Sequence, residues 1–299
     1  RPQIVGSIDA RRYAPAMRIV GRCRTALLLV ALTSCGYVPP SAPPAASNAD
    51  AQLEWTPLLT HLGLTDPKTV SWHKLFRTGF EYDSDLAGFY VTPQSPLTRH
   101  RIVAGNKHHA GARAHHAWLT GVAGSEPVDG PNHRGYPTIQ LRRRAAGPCA
   151  SPCLIELWVR LDEAVMARGE WFSFATFSTD ASNRWSRVIT VNVGSEGWLN
   201  LFHVPSYGKG DRAFQRTDVM FPRRKWVRVT TLLDVDPAGG AAAVWQDGVL
   251  MSAARVVDVD GDVDQMHFGL YAAPTMLHAS VWNDDISVKT QDSQAQAEG

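Results

Sequence analysis

Along most of the chain apolar and polar positions alternate one by one, which is the period of a half-buried strand rather than of a helix. In the run LIELWVRL at 154–161, Ile155, Leu157, Val159 and Leu161 fall on one face and Glu156, Trp158 and Arg160 on the other. Comparable runs occupy 171–177, 187–193, 198–204, 226–234, 242–251, 265–272 and 280–289. Turn-forming stretches such as 236–240 and Asp247-Gly248 separate them. Only 51–64 and 161–168 read as brief helices. Many short strands at this spacing predict an all-β fold, an antiparallel β-sandwich or barrel without repeats or a second domain.

The first 50 residues break the pattern. From Met17 the sequence reads MRIVGRCRTALLLVALTSCG. Arg18, Arg22 and Arg24 form a basic region, residues 25–32 an apolar one, and Leu32-Thr33-Ser34-Cys35 resembles the lipobox of a bacterial lipoprotein signal. The apolar run is far shorter than the roughly 20 residues that span a bilayer. The organisation expected is therefore an upstream extension foreign to the mature protein (1–16), a signal peptide (17–34), a lipidated Cys35 with a Pro/Ala/Ser-rich linker (35–50), the β-domain (51–290) and a disordered tail (291–299). The linker, partly in polyproline II form at about 3.1 Å per residue, reaches roughly 40 Å from the lipid. The expected location is the bacterial cell envelope, outside the cytoplasm and lipid-anchored.

Charge and cysteine usage follow from that leader. The whole chain carries 30 Lys+Arg and 28 Asp+Glu, a net +2. Six Arg and one Asp precede Cys35, so 24 basic and 27 acidic residues remain, a net −3. That balance speaks against a nucleic-acid partner. Cys23 leaves with the signal, and Cys149 and Cys153 of Cys-Ala-Ser-Pro-Cys are expected to form a disulfide in an oxidising compartment.

Three stretches carry a family resemblance. They are Trp226-Val-Arg-Val229, Val244-Trp-Gln-Asp-Gly248, and His267-Phe-Gly-Leu-Tyr271 followed by Val281-Trp-Asn-Asp-Asp-Ile286. Their order is similar to the C-terminal half of concanavalin A-like jelly rolls, and within them to the polysaccharide lyases of the heparin lyase I-like, alginate lyase and glucuronan lyase groups. Stretches 80–90 and 105–118 resemble the opening strands, and 133–141 the strand that displays polar groups to substrate. The resemblance spans about residues 70–290 and implies a jelly roll that binds an acidic, uronate-containing polysaccharide and cleaves it by β-elimination. The same scaffold also carries lectin and laminin G-like binding modules, so a non-catalytic glycan-binding lipoprotein is the alternative.

Alternation assigns candidate residues to one sheet face. Tyr136, Thr138, Gln140 and Arg142 share a side, as do Gln265, His267 and Tyr271, and as do Thr190 and Asn192. This side offers amides and rings but few carboxylates, and the paired-acid strand motifs of glucanases on this scaffold do not occur, which disfavours glycoside hydrolysis. β-Elimination needs a group that neutralises the C5 carboxylate, a base for the C5 proton and an acid for the leaving O4. Arg134, Gln140 and Asn192 are the candidates for the first role. His133, His203 and His267 are candidate bases, and Tyr136, Tyr207 and Tyr271 candidate bases or acids. Arg187, Lys209, Arg212 and Trp158 are candidate substrate contacts; Trp185, Trp198 and Trp245 are further rings able to stack on sugars.

No cofactor is required by this chemistry. A structural calcium at Asp285 with Glu81 or Asp83 is what the resemblance implies. The histidines at 108, 109, 115 and 116 read as surface strand residues beside the Gly111 turn, since adjacent strand positions diverge and no carboxylate completes a zinc site. The acidic run 258–264 lacks the glycine and glutamate placement of a calcium loop. The protein is expected to be a monomer, with acidic polysaccharide and, through Cys35, the membrane as partners.

Overall fold

The computed structural model describes residues 56–88, 90–91, 96–121, 130–180, 185–204 and 212–292. The leader, Cys35, the linker, Tyr207, Lys209 and the tail from 293 lie outside the described residues, and of Arg212 only the backbone is described.

A six-residue helix α1 (Thr56–His61) precedes the strands. In chain order these are β1 (Trp72–Thr78), β2 (Tyr90–Val91), β3 (Thr98–Ala104), β4 (Arg113–Thr120), β5 (His133–Gly135), β6 (Pro137–Gln140), β7 (Cys149–Ala150), β8 (Cys153–Val165) and β9 (Trp171–Ser178). There follow β10 (Val188–Gly194), β11 (Leu199–His203), β12 (Arg212–Gln215), β13 (Trp226–Asp234), β14 (Gly240–Gln246), β15 (Val249–Val256), β16 (Asp262–Val263), β17 (Gln265–Ala272) and β18 (His278–Gln291). Among the described residues they form a nine-stranded sheet in the order β12-β15-β14-β13-β8-β18-β4-β3, with β1 also on β18. A seven-stranded sheet runs β11-β10-β9-β17-β6-β2, with β5 also on β17, and β7 and β16 make a small separate pair. The pairings are antiparallel, and the two large sheets form the expected sandwich.

Alternation sets the core. Ile189, Val191 and Val193 of β10, Met266, Phe268 and Leu270 of β17, and Ile155, Leu157, Val159 and Leu161 of β8 belong to one buried cluster between the sheets. Thr190, Asn192, His267 and Tyr271 therefore point to the other side of the seven-stranded sheet. On the outer side of the nine-stranded sheet, Leu59, Leu62 and Leu64 from α1 and its following turn cover Leu154, Leu232 and Trp245 in a second cluster.

Two expectations are corrected. Residues 161–165 continue β8 instead of turning helical, because Ala164 and Val165 pair with Ala279 and His278 of β18; ladder partners distant in sequence override local propensity. The histidines do not all lie on the surface. His115 is wholly buried against Phe80 and Phe268, while its neighbour His116 stacks between Trp118 and Trp282 on the outside. Cys149 and Cys153 form the expected disulfide, with Cα atoms 5.8 Å apart.

Backbone freedom matters most at Gly269, beneath the polar face. Its φ is +120°, and a Cβ there would meet the Gly135 carbonyl oxygen at 2.8 Å and His115 Cε1 at 3.2 Å. A Gly269→Ala change is expected to cost about 2 kcal/mol or more, since the strained conformation and the clash with backbone add. A urea midpoint equal to wild type would contradict this.

Candidate functional site

The outer face of the seven-stranded sheet gathers part of the candidate set. Tyr136 stacks on His267 with ring centroids 3.7 Å apart and 7° between the planes. Tyr271 meets both rings edge-on, at 5.9 and 5.5 Å. Trp185 lies 5.2 Å from His267, and Trp171 5.0 Å from Tyr271. Arg134 is the ladder partner of Tyr271 and so shares its face, exposed to solvent. Asn132 Nδ2 donates to Tyr271 Oη at 2.7 Å, which orients the phenol.

This cluster is not electrostatically ordinary. Burial holds the His267 imidazole at a pKa of about 3, with Arg134 adding to the effect. Burial likewise raises the Tyr136 phenol, while Arg134 opposes that rise. Both rings are therefore neutral over the physiological range. Tyr136 is 7% and His267 3% exposed, whereas Tyr271 is partly open to solvent. Of the three rings, Tyr271 alone is placed to meet a ligand with its polar end.

Beside Tyr271 an open cavity of about 650 Å³ spreads over β10 and β11. Thr190, Asn192, Asn200 and Phe202 form its floor, all at outward positions of their strands. Trp171, Trp198 and Tyr271 supply ring faces, and Asn132 and Gln215 further amides. Two carboxylates, Glu170 and Glu196, come from turns. Those turns are tied together: Ser195 N donates to Glu170 O at 3.0 Å and Gly169 N to Ser195 Oγ at 2.9 Å. The Glu170 carboxylate accepts from Ala167 N at 2.5 Å and from Thr275 Oγ1, so its position is fixed. The Asn192 side chain is 4% exposed, and its Oδ1 has no hydrogen-bond partner among the described residues. Gln215 Oε1 is likewise unpaired, although its Nε2 donates to Leu199 O and Arg216 O, both at 2.9 Å. A buried amide oxygen without a donor costs about 1–3 kcal/mol, which a bound hydroxyl or water offsets.

Other candidates fall elsewhere. His133 is buried on the inner side, with Nε2 2.9 Å from the Pro274 carbonyl oxygen, and His203 pairs in register with core-facing Ile189. Neither joins the cluster. Gln140 shares the outward parity but sits at the far end of the sheet, opposite Gln265, which reaches Asp180 O. Arg187 is bound to Asp260. Trp158 lies on the nine-stranded sheet, stacked 3.7 Å from His109, and Trp245 lies under α1 on that same sheet. Arg142 leaves the face because β6 ends at Gln140 in a 3-10 turn over Leu141–Arg143.

The residues assigned to calcium are engaged with protein groups. Asp285 Oδ2 meets His109 Nδ1 at 2.9 Å and Asp285 Oδ1 accepts from Arg77 at 3.4 Å; Asp83 pairs with Arg113 at 2.5 Å, and Glu81 accepts from Ala112 N. Among the described residues no three His, Cys, Asp or Glu side chains gather as a metal would require. No helix among them is long and apolar enough to cross a membrane.

Sequence reasoning missed Asn132, Glu170, Trp171, Asn200, Glu196 and Gln215 as site residues. Asn200 was legible, because it alternates with Leu199 and Leu201 as Asn192 does with Val191 and Val193. The two glutamates were not, since they lie in turns whose direction no alternation fixes.

No family model and no curated protein matches this chain. Solved structures do. The chain is similar to a cellulose-induced protein, Cip1, at 14% identity and a TM-score of 0.49, covering 71% of this chain and 96% of that one. It is also similar to a carbohydrate esterase from Shiga toxin-encoding bacteriophage phi24B, at 12% identity and TM-score 0.48, covering 74% and 100%. An alginate lyase of polysaccharide lyase family 7 aligns at 10% identity and TM-score 0.40, covering 60% and 78%.

The buried His267 implies acid lability. In the unfolded chain its imidazole binds a proton below about pH 6.5, whereas in the folded state it does so only near pH 3. Folding stability from this residue is therefore full above pH 6.5 and is lost as pH falls toward 3. The urea midpoint of wild type should drop over that window, and His267→Gln should drop less steeply whatever its stability at pH 7. Equal slopes would contradict the assignment.

Proposed function

We propose that this chain is a glycan-binding β-sandwich of the bacterial envelope, anchored through lipid on Cys35, which lays a polysaccharide across the outer face of its seven-stranded sheet. The observation that carries this reading is the cavity at β10 and β11, where indole and phenol faces stand beside the buried Asn192, whose amide oxygen has no partner among the described residues. A sugar ring has an apolar C–H face, which stacks on aromatic rings, and an equatorial rim of hydroxyls, which pair with amides and carboxylates.

Arg134, Tyr271 and Asn132 favour a second reading, β-elimination on a uronate residue. Arg134 neutralises the C5 carboxylate, Tyr271 as its phenolate, its own proton given up to solvent, takes the C5 proton, the C4–O4 bond breaks as the C4–C5 double bond forms, and the phenol so formed gives that proton to the leaving O4. The bond from Asn132 Nδ2 to Tyr271 Oη lowers the cost of the transient phenolate. His267, packed under Tyr136, has no place in that sequence.

Trp171→Ala and Asn192→Ala are each expected to weaken polysaccharide binding by about tenfold, roughly 1.4 kcal/mol, in calorimetry or affinity electrophoresis. Unchanged affinity in both variants would place binding elsewhere. If the chain is also a lyase, uronate polymers will yield 4,5-unsaturated ends absorbing in the ultraviolet, and Tyr271→Phe will abolish them. No such product from wild type that still binds glycan leaves the binding function alone.

A further inference from the structure

The polarity of the cavity specifies its ligand further. Asn192 Oδ1 and Gln215 Oε1 are unpaired oxygens, and Glu170 and Glu196 add carboxylates. Among the described residues that line it there is no Lys, Arg or His. Arg134, the ladder partner of Tyr271, is not among those lining residues. Arg216, next to Gln215, has its own acidic neighbour, with Nε 3.7 Å from Asp218.

We infer that this cavity selects a sugar unit without negative charge, recognised through its hydroxyl or ammonium donors, and rejects a uronate at the same position. The inference rests on the glycan-binding reading alone, since β-elimination at Tyr271 would need a uronate in this same cavity. The physical reason is twofold. A hydroxyl or ammonium group donates to the Glu170 or Glu196 carboxylate at the cavity wall, and the ring face stacks on Trp171 or Trp198. A sugar carboxylate has no donor to offer those oxygens and brings like charge toward Glu170 and Glu196 where water is partly excluded. Glu170 is fixed by Thr275 and Ala167, so it cannot swing aside. Glu196 is more exposed and accepts from Ser195 Oγ at 3.0 Å, which makes it the substitutable member of the pair.

The test uses the mature chain from Cys35 without its lipid and an array of neutral, amino and uronic acid oligosaccharides of equal length, followed by calorimetry on the best binders. Neutral or amino oligosaccharides should bind at least about tenfold tighter than uronates. Amine-only binding would identify ammonium as the donor, and neutral binding hydroxyl; both uphold the inference. Glu196→Gln should raise uronate affinity several-fold, and added salt should raise it in wild type but not in the variant, because screening weakens repulsion between charges. Neutral binding should be insensitive to added salt, and Glu196→Gln should narrow the ratio of neutral to uronate affinity. Uronates that bind wild type as tightly as neutral sugars would overturn the inference while leaving the glycan reading intact, most directly if Lys209→Ala or Arg212→Ala removed that binding. No binding across the array would overturn the glycan reading itself.

Discussion

Mutual burial of one face of each sheet is the constraint on which the rest of the structure depends. A sheet flanked by a partner on one side must be apolar at every second residue there, and the intervening residues are released from packing. On β10 and β17 the released positions carry Thr190, Asn192, His267 and Tyr271, and the fixed ones carry Ile189, Val191, Met266 and Phe268. The two outer faces then diverge. That of the nine-stranded sheet is partly covered by α1 and by stacked His116, Trp118 and Trp282, which satisfy one another. The seven-stranded sheet holds the open cavity and an amide oxygen with no partner. Coverage by α1 and by the stacked rings, more than composition, distinguishes the outer face of the nine-stranded sheet, whose own cavity is about 210 Å³, from that of the seven-stranded sheet.

The site is a composite of two kinds of structure. Strands supply its floor with rigid, evenly spaced groups, while paired turns at 167–170 and 194–197 supply its carboxylates. Backbone bonds between the turns, and the Thr275 contact, hold Glu170 in place without help from the strand ladders. The rings divide in a similar way. Tyr136 and His267 are packed against each other and desolvated, so they shape the face and do not titrate near neutrality. Tyr271 keeps its hydroxyl at the cavity edge, oriented by Asn132. Proximity to a groove is thus insufficient for a chemical role; access and hydrogen-bond capacity decide it.

Much of this was legible in the sequence, and the reasons for the remainder are specific. Alternation was enough to find most strands, including 226–234 and 265–272 to the residue, and the shared face of Tyr136, Asn192, His267 and Tyr271, while cysteine spacing and an oxidising compartment pointed to the Cys149–Cys153 bridge. His203, expected among the bases, has the parity of Leu199 and Leu201 and turns inward with them. Alternation failed at 161–165, where a helical composition is held extended by β18, and at His115, which it could place on a face but not inside a core. Which sheet a strand joins is invisible to a local pattern, so Trp158 was grouped with residues of the opposite sheet.

The sequence by itself determined the fold class, the polar and apolar faces of each strand and the residue types available for chemistry, because those follow from a two-residue period that is a local property of the chain. Only the tertiary structure decided which faces are left uncovered, that Asn192 and Gln215 retain unpaired oxygens, and that Glu170 and Glu196 join them from turns. Those facts depend on strand order and on contacts between segments distant in sequence. Accessibility and hydrogen-bond pairing are properties of the assembled surface, which is why, of the histidines, tyrosines, amides and arginine that the sequence offered, the cavity keeps Asn192 and Tyr271 and adds Glu170 and Glu196.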